Sequence, residues 1–170
     1  MRNIALYSLV LITLVTGFAG CSHYHLGHPK KLPFETLYVK PVENNAYVPQ
    51  AQALLSDQLI QALQREGMIK LVPEQDADAI LIVTLKNYDR SVSATQETDT
   101  VLASSISISL TAECTLKNLE TDEVYFEDRE VSSNIDAVVI GDPLASEYQN
   151  LPSLTQRLAD KIRTQVISYW

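Results

Sequence analysis

The chain is poor in the groups that enzymes use. All three histidines fall between residues 23 and 28, there are only two cysteines, and no G-x-S-x-G motif occurs. Cys114 is the one thiol downstream of residue 21 and no imidazole accompanies it, so a nucleophile with an activating base has no support and no catalytic residue is expected. Positive charge is also scarce, with 13 Lys and Arg against 21 Asp and Glu and a net charge of −8. Such a body has no electrostatic reason to wrap nucleic acid, and an anionic lipid surface would repel it. The uncharged run Ile4 to Thr16 covers 13 residues. A spanning helix needs about 20, so this run is too short to stay in a bilayer as an anchor. No internal repeat appears.

That short run has its own meaning. Arg2 supplies the positive start, Ile4 to Thr16 the apolar stretch, and Gly17 breaks the helix before Phe18-Ala19-Gly20-Cys21. This is the architecture of a lipoprotein signal, with residues 1–20 removed and Cys21 lipidated. The consensus prefers Leu where Phe18 stands, and a plain secretory cleavage after Ala19 is the rival reading. Ser22, in place of a retention Asp, directs such a protein to the outer membrane, lipid-anchored on the periplasmic side. Several acyl chains on one cysteine hold far better than a single one, at about 0.8 kcal/mol per buried CH₂. A lipidated Cys21 cannot pair, which leaves Cys114 as a lone thiol in an oxidising compartment, safe only when buried.

Residues 21–34, with Gly27, Pro29 and Pro33, show no apolar periodicity and read as a lipidated tether. Residues 35–170 then form one domain of ordinary size. Thr36 to Lys40 is a short strand stopped by Pro41. Ala51, Leu55, Leu59, Ala62 and Leu63 mark a helix of about 18 residues, with Pro49 in its first turn and Gly67 just past its end. Ile69 to Val72 adds a few extended residues. Ala79 to Tyr88 reads as a strand covered on both faces. Ile106, Ile108, Leu110, Ala112, Cys114 and Leu116 alternate with Ser, Thr, Glu and Lys, the mark of a half-buried antiparallel strand with Cys114 facing the core. In the returning segment, Val124 to Asn134, Phe126 and Val131 sit at opposite parity, which calls for a bulge between them or departure from the core face. Leu151, Leu154, Leu158, Ile162 and Val166 form a second helical stripe, with Asn150 as cap and Pro152 in the first turn. The order β-α-β-β-β-α implies an α+β fold: a four-stranded, mostly antiparallel sheet with two helices packed on one face.

Several polar groupings invite chemistry. His23, His25 and His28 could bind Zn²⁺ or Cu²⁺ opportunistically, but a tether lacks the fixed geometry of a metal site, so no metal or cofactor is implied. Asp76 and Asp78 precede a strand and read as a solvated turn. Lys86, Arg90, Lys117 and Arg129 lie on or beside the three long strands. Asp89, Glu113, Glu127 and Asp128 lie between them, so a salt-bridged outer face is the first reading and a convergent anion site the second.

Taken in order, Gly20-Cys21-Ser22-His23-Tyr24-His25-Leu26-Gly27, the strand at Leu37 to Lys40, the strand entry Asp78-Ala79-Ile80-Leu81 and the two flanking helices resemble the LptE family of lipopolysaccharide-assembly lipoproteins. The resemblance implies a plug inside the LptD β-barrel that takes part in delivering lipopolysaccharide to the cell surface. It also makes Lys86, Arg90, Lys117 and Arg129 candidate contacts for lipopolysaccharide. Two departures weigh against direct binding: the hairpin tip reads Gln96-Glu97-Thr98-Asp99 where a phosphate site wants Lys or Arg, and the body is as anionic as the ligand. Fold alone does not set function, so two other classes stay open. One is a periplasmic adaptor lipoprotein serving an envelope enzyme or secretion pore. The other is an amphiphile carrier, which needs a cavity between helices and sheet.

Overall fold

A computed structural model describes residues 32–95, 103–139 and 141–168. Its strands are β1 (Thr36–Val39), β2 (Glu43–Asn44), β3 (Lys70–Leu71), β4 (Ala79–Thr95), β5 (Ala103–Asn118) and β6 (Val124–Val138). Its helices are α1 (Pro49–Glu66) and α2 (Pro143–Ile167), and a 3₁₀ turn covers Glu74–Asp76. The sheet runs β3-β1-β4-β5-β6, with β2 also paired to β4. β1 lies parallel to β3 and β4, while β4, β5 and β6 form a long antiparallel meander. The α+β class is as the sequence implies. β2 and β3 raise the strand number from four to six, because two-residue pairings are too short to leave a periodic trace.

Both helices cover the same sheet face. Leu55, Leu59 and Leu63 of α1 and Leu154, Leu158, Ile162 and Val166 of α2 are fully buried against Leu81, Val83, Leu85 and the even-numbered apolar side chains of β5. The helices run side by side in the same direction. Gln58 Nε2 donates to Pro152 O at 3.1 Å, Arg65 pairs with Asp160 at 3.4 Å, and Arg163 pairs with Glu66. α1 starts at Pro49 and stops at Gly67, whose φ of +68° is a left-handed conformation that a Cβ would strain, and whose N–H closes on Gln64 O.

Three boundaries differ from the sequence reading. Leu32 and Phe34, assigned to the tether, are buried in the core, so the folded body begins before residue 35. α2 begins at Pro143, capped by Asp142, which accepts from Leu144 N–H at 3.0 Å. Asn150 is therefore no cap and Pro152 is not in the first turn. Asn150 Nδ2 instead donates to Ser146 O at 2.7 Å, and Pro152 sits mid-helix, where it has no N–H to return to the carbonyl of Tyr148. The first turns of α2 leave Leu144 and Tyr148 half exposed and bury Ser146, so they carry no apolar stripe for periodicity to detect. Finally, β4 runs on to Thr95. Only Ile80 and Ile82 give its outer face an apolar cover, so the strand is not buried on both sides.

The bulge in the last strand is where parity places it. Leu116 pairs with Phe126 and Cys114 with Arg129, so β6 spends one extra residue there, and Asp128 takes φ +47°. Its N–H is held by Thr115 Oγ1 at 3.1 Å. Phe126 and Val131 both reach the core as a result.

Candidate interaction surface

The sheet face away from the helices has no covering element among the described residues. Its central row on β5 is Ser105, Ser107, Ser109, Thr111, Glu113, Thr115 and Lys117. Asn87, Asp89 and Ser91 of β4 flank it on one side, and Glu130, Ser132, Asn134 and Asp136 of β6 on the other. Apart from Lys117 these are hydroxyl, amide and carboxylate side chains, and those of the central row are half-buried only by their own neighbours. Ser93 and Ser105 share a hydroxyl hydrogen bond of 2.7 Å across the strands. Such a surface is flat, polar and able to both donate and accept hydrogen bonds.

The four candidate cations do not converge on it. Lys86 and Arg90 have the same parity in the sequence, but β4 bulges between Leu85 and Asn87, where Lys86 is the extra residue. Beyond that point even-numbered side chains turn to the helix side, since Arg90 now sits opposite the buried Ile108. Lys86 pairs with Glu113 on the outer face at 3.1 Å, and Arg90 pairs with Glu147 of α2 at 3.0 Å. Lys117 is outer-facing and pairs with Asp122 at 3.4 Å. Arg129 lies over the Phe126 ring at 4.6 Å and donates to Gln165 of α2 at 2.9 Å, on the helix side. Arg90 and Arg129 stand opposite Ile108 and Cys114, roughly 20 Å apart along β5. Each cation is engaged locally.

Asp78 is not merely a solvated turn residue. Its carboxylate accepts from Glu35 N–H at 2.9 Å and Thr36 N–H at 2.8 Å, which ties the start of β1 to the start of β4. Those bonds, Glu35's first and then Thr36's, hold its carboxyl below the usual carboxylate range. Asp76, by contrast, is exposed at the end of the 3₁₀ turn. Cys114 is fully buried, as its register requires, and burial pushes its thiol up to about 12.

One cluster has no trace in the sequence. Tyr47, Tyr88, Tyr148 and Glu147 line a cavity of about 250 Å³ where the β2–α1 loop meets the start of α2. Tyr47 is 92% exposed with φ +58°, and Asn44 pins its loop by donating to Val48 O at 3.0 Å and accepting from Ala46 N–H at 3.2 Å. Tyr88 donates its hydroxyl to Glu147, and burial and that carboxylate raise its pKa well above the ordinary phenol value. The tyrosines come from a loop, a strand and a helix, so no spacing rule joins them. Among the described residues, no three His, Cys, Asp or Glu side chains could hold a metal, and no helix is long and apolar enough to cross a membrane. Cys21, the His23, His25 and His28 run and the Gln96 to Asp99 tip lie outside the described residues.

Solved structures share this fold at low identity. A hypothetical protein from Chlamydia trachomatis superposes with a TM-score of 0.57 at 12% identity, covering 79% of this chain and 96% of that one. A minor lipoprotein from Acinetobacter baumannii gives 0.54 at 14%, covering 81% and 95%. An uncharacterized lipoprotein B from Nitrosomonas europaea gives 0.54 at 12%, covering 86% and 88%. No curated protein matches the chain. The sequence pattern described as LptE, lipopolysaccharide-assembly, matches residues 34–166, which takes in α1, all but the last residue of α2 and every described strand, and the chain therefore belongs to the LptE family.

Proposed function

We propose that this protein is an outer-membrane lipoprotein, anchored on the periplasmic side through Cys21, that plugs an LptD-like β-barrel and assists its assembly for lipopolysaccharide export. Its role is structural rather than enzymatic. The observation that carries this reading is the uncovered outer face of β4, β5 and β6, paved with hydroxyl, amide and carboxylate groups in a chain of the LptE family. Barrel lumens are polar and lined by alternating side chains, and a flat hydrogen-bonding sheet suits close packing there. Contact with lipopolysaccharide belongs to the proposal as a secondary role, with Lys86 and Lys117 as the outer-facing cations and Arg90 and Arg129 on the helix side.

The amphiphile-carrier reading loses support because Leu55, Leu59, Leu81, Leu85, Leu110 and Leu158 are all fully buried between helices and sheet, where acyl chains would have to lie. Recovery of the native lipoprotein from detergent-solubilised outer membrane tests the plug. A fixed ratio to a β-barrel, with surface lipopolysaccharide falling and the barrel misassembling on depletion, is the expected result. Recovery with a secretion pore or a peptidoglycan enzyme, and never with a barrel, moves the assignment to the adaptor class.

A further inference from the structure

The two edges of the sheet are unequal. One ends in β3, only two residues long, whereas the other is β6, with 15 residues and, among the described residues, no strand beyond it. A long open edge is a template for adding a further strand.

The ladder shows which groups of β6 face outward. Leu119 N–H donates to Asp78 O of β4's approach and Asn118 N–H donates to Glu123 O of β6's approach, so even-numbered residues of β5 bond toward β6. Their partners across the ladder are Val131, Ser133, Ile135 and Ala137. Ser132, Asn134, Asp136 and Val138 consequently aim both N–H and C=O away from the sheet. Two of those outward carbonyls are occupied. Lys161 Nζ donates to Ser132 O at 2.6 Å and Arg157 Nη1 donates to Asn134 O at 3.2 Å. Residues 157 and 161 are one helical turn apart on α2, and both side chains are exposed. They reach over the rim of the sheet and lie where the backbone of an added strand would have to run.

We propose that Arg157 and Lys161 are a guard that keeps the β6 edge closed to strand addition, and that the occupant they exclude is the β6 edge of a second copy of this chain. A second copy fits by charge as well as by backbone. Antiparallel pairing about Asn134 sets Ser132 opposite Asp136 and Glu130 opposite Val138, so no two like charges face each other. On the helix side the same register sets Ser133 opposite Ile135 and Val131 opposite Ala137.

The test uses the full chain in mild detergent, comparing wild type with Arg157→Ala/Lys161→Ala, each with and without Asn134→Cys at the axis of the pairing. Native mass spectrometry should find wild type monomeric and the double variant self-associating roughly tenfold or more tightly, worth about 1.4 kcal/mol. Oxidation should link residue 134 to residue 134 of another copy, mapped by peptide mass, only when the guard is removed. Arg157→Lys with Lys161→Arg should restore the monomer, since both replacements still donate. A double variant that is folded, less heat-stable and still monomeric would show that the two bonds serve only the helix–sheet contact and would overturn the proposal. Equal 134–134 linkage with the guard intact would overturn it too. Should the double variant fail to fold, Lys161→Ala alone, which frees the Ser132 carbonyl, takes its place under the same criteria.

Discussion

Thr36 and Asp78 clasp each other reciprocally: Thr36 N–H donates to the Asp78 carboxylate at 2.8 Å, and Asp78 N–H donates to Thr36 Oγ1 at 2.8 Å. The two residues are 42 positions apart, and their clasp sets the register in which β1 pairs in parallel with β4. Parallel pairs need a long crossover, here α1 and β3, and the clasp closes that crossover where β1 meets β4.

Asp78→Ala should destabilise by about 1 kcal/mol, less than a buried charged hydrogen bond because Asp78 is exposed. The carboxyl is depressed in the folded state, so its contribution is present above the unfolded value of 3.8 and fades as pH falls through the lower folded value. Urea melts at pH 7 and pH 3 check this. The gap between wild type and variant should narrow in acid, and a gap that widens instead would refute the assignment.

Cys114 should resist thiol reagents in the native state at pH 8 and react only on unfolding. Its folded value of about 12 lies above the ordinary 9.0, so the protonated thiol's contribution holds below pH 9 and is lost as pH rises beyond it. Cys114→Asp places an unpaired carboxylate in the core and should cost more than about 3 kcal/mol, against about 1 kcal/mol for Cys114→Ala. Fast labelling of folded protein is the contrary result.

Ser107→Lys with Ser109→Lys should weaken association with the barrel while leaving the thermal midpoint within a few degrees. Both side chains project from the outer face of β5, away from the helices. Loss of binding accompanied by unfolding would instead count the two serines as structural.

Charge reversal separates the two cations that the sequence sets side by side. Arg90→Glu puts a second carboxylate beside Glu147 and should loosen the start of α2, seen as faster amide exchange there. Lys86→Glu faces Glu113 on the outer face and should leave α2 unchanged. Lipopolysaccharide binding that survives both changes removes the pair from any site.

Cys21→Ala should release the body from membranes into the soluble periplasm, and intact mass of the extracted wild type should show acyl chains on Cys21. A mature chain beginning at Gly20 with no acyl mass would end the lipoprotein reading.

The parts of this architecture written in local sequence are those set by a repeating environment. The alternation from Ile106 to Leu116 fixes one face of β5 to the core, and with it the burial of Cys114. The parity break between Phe126 and Val131 announces the β6 bulge, and Pro49 with Gly67 brackets α1. Each is decided within a few residues by side-chain period, ring closure or a left-handed turn.

What only the tertiary structure decided depends on groups far apart in the chain. The bulge at Lys86 leaves only the even-numbered Tyr88 and Val92 as a parity mark, blurred by the even-numbered Ile80 and Ile82 of the other face, yet it sends Arg90 to Glu147 and disperses the four cations. The first turns of α2 form without an apolar stripe because Asp142 caps them and the side chain they bury, Ser146, is small and polar. The Asp78 clasp, the tyrosine-lined cavity and the two arms over β6 likewise join residues that no spacing relates. Side-chain direction follows from local period, but which partner waits in that direction is settled by how strands and helices pack.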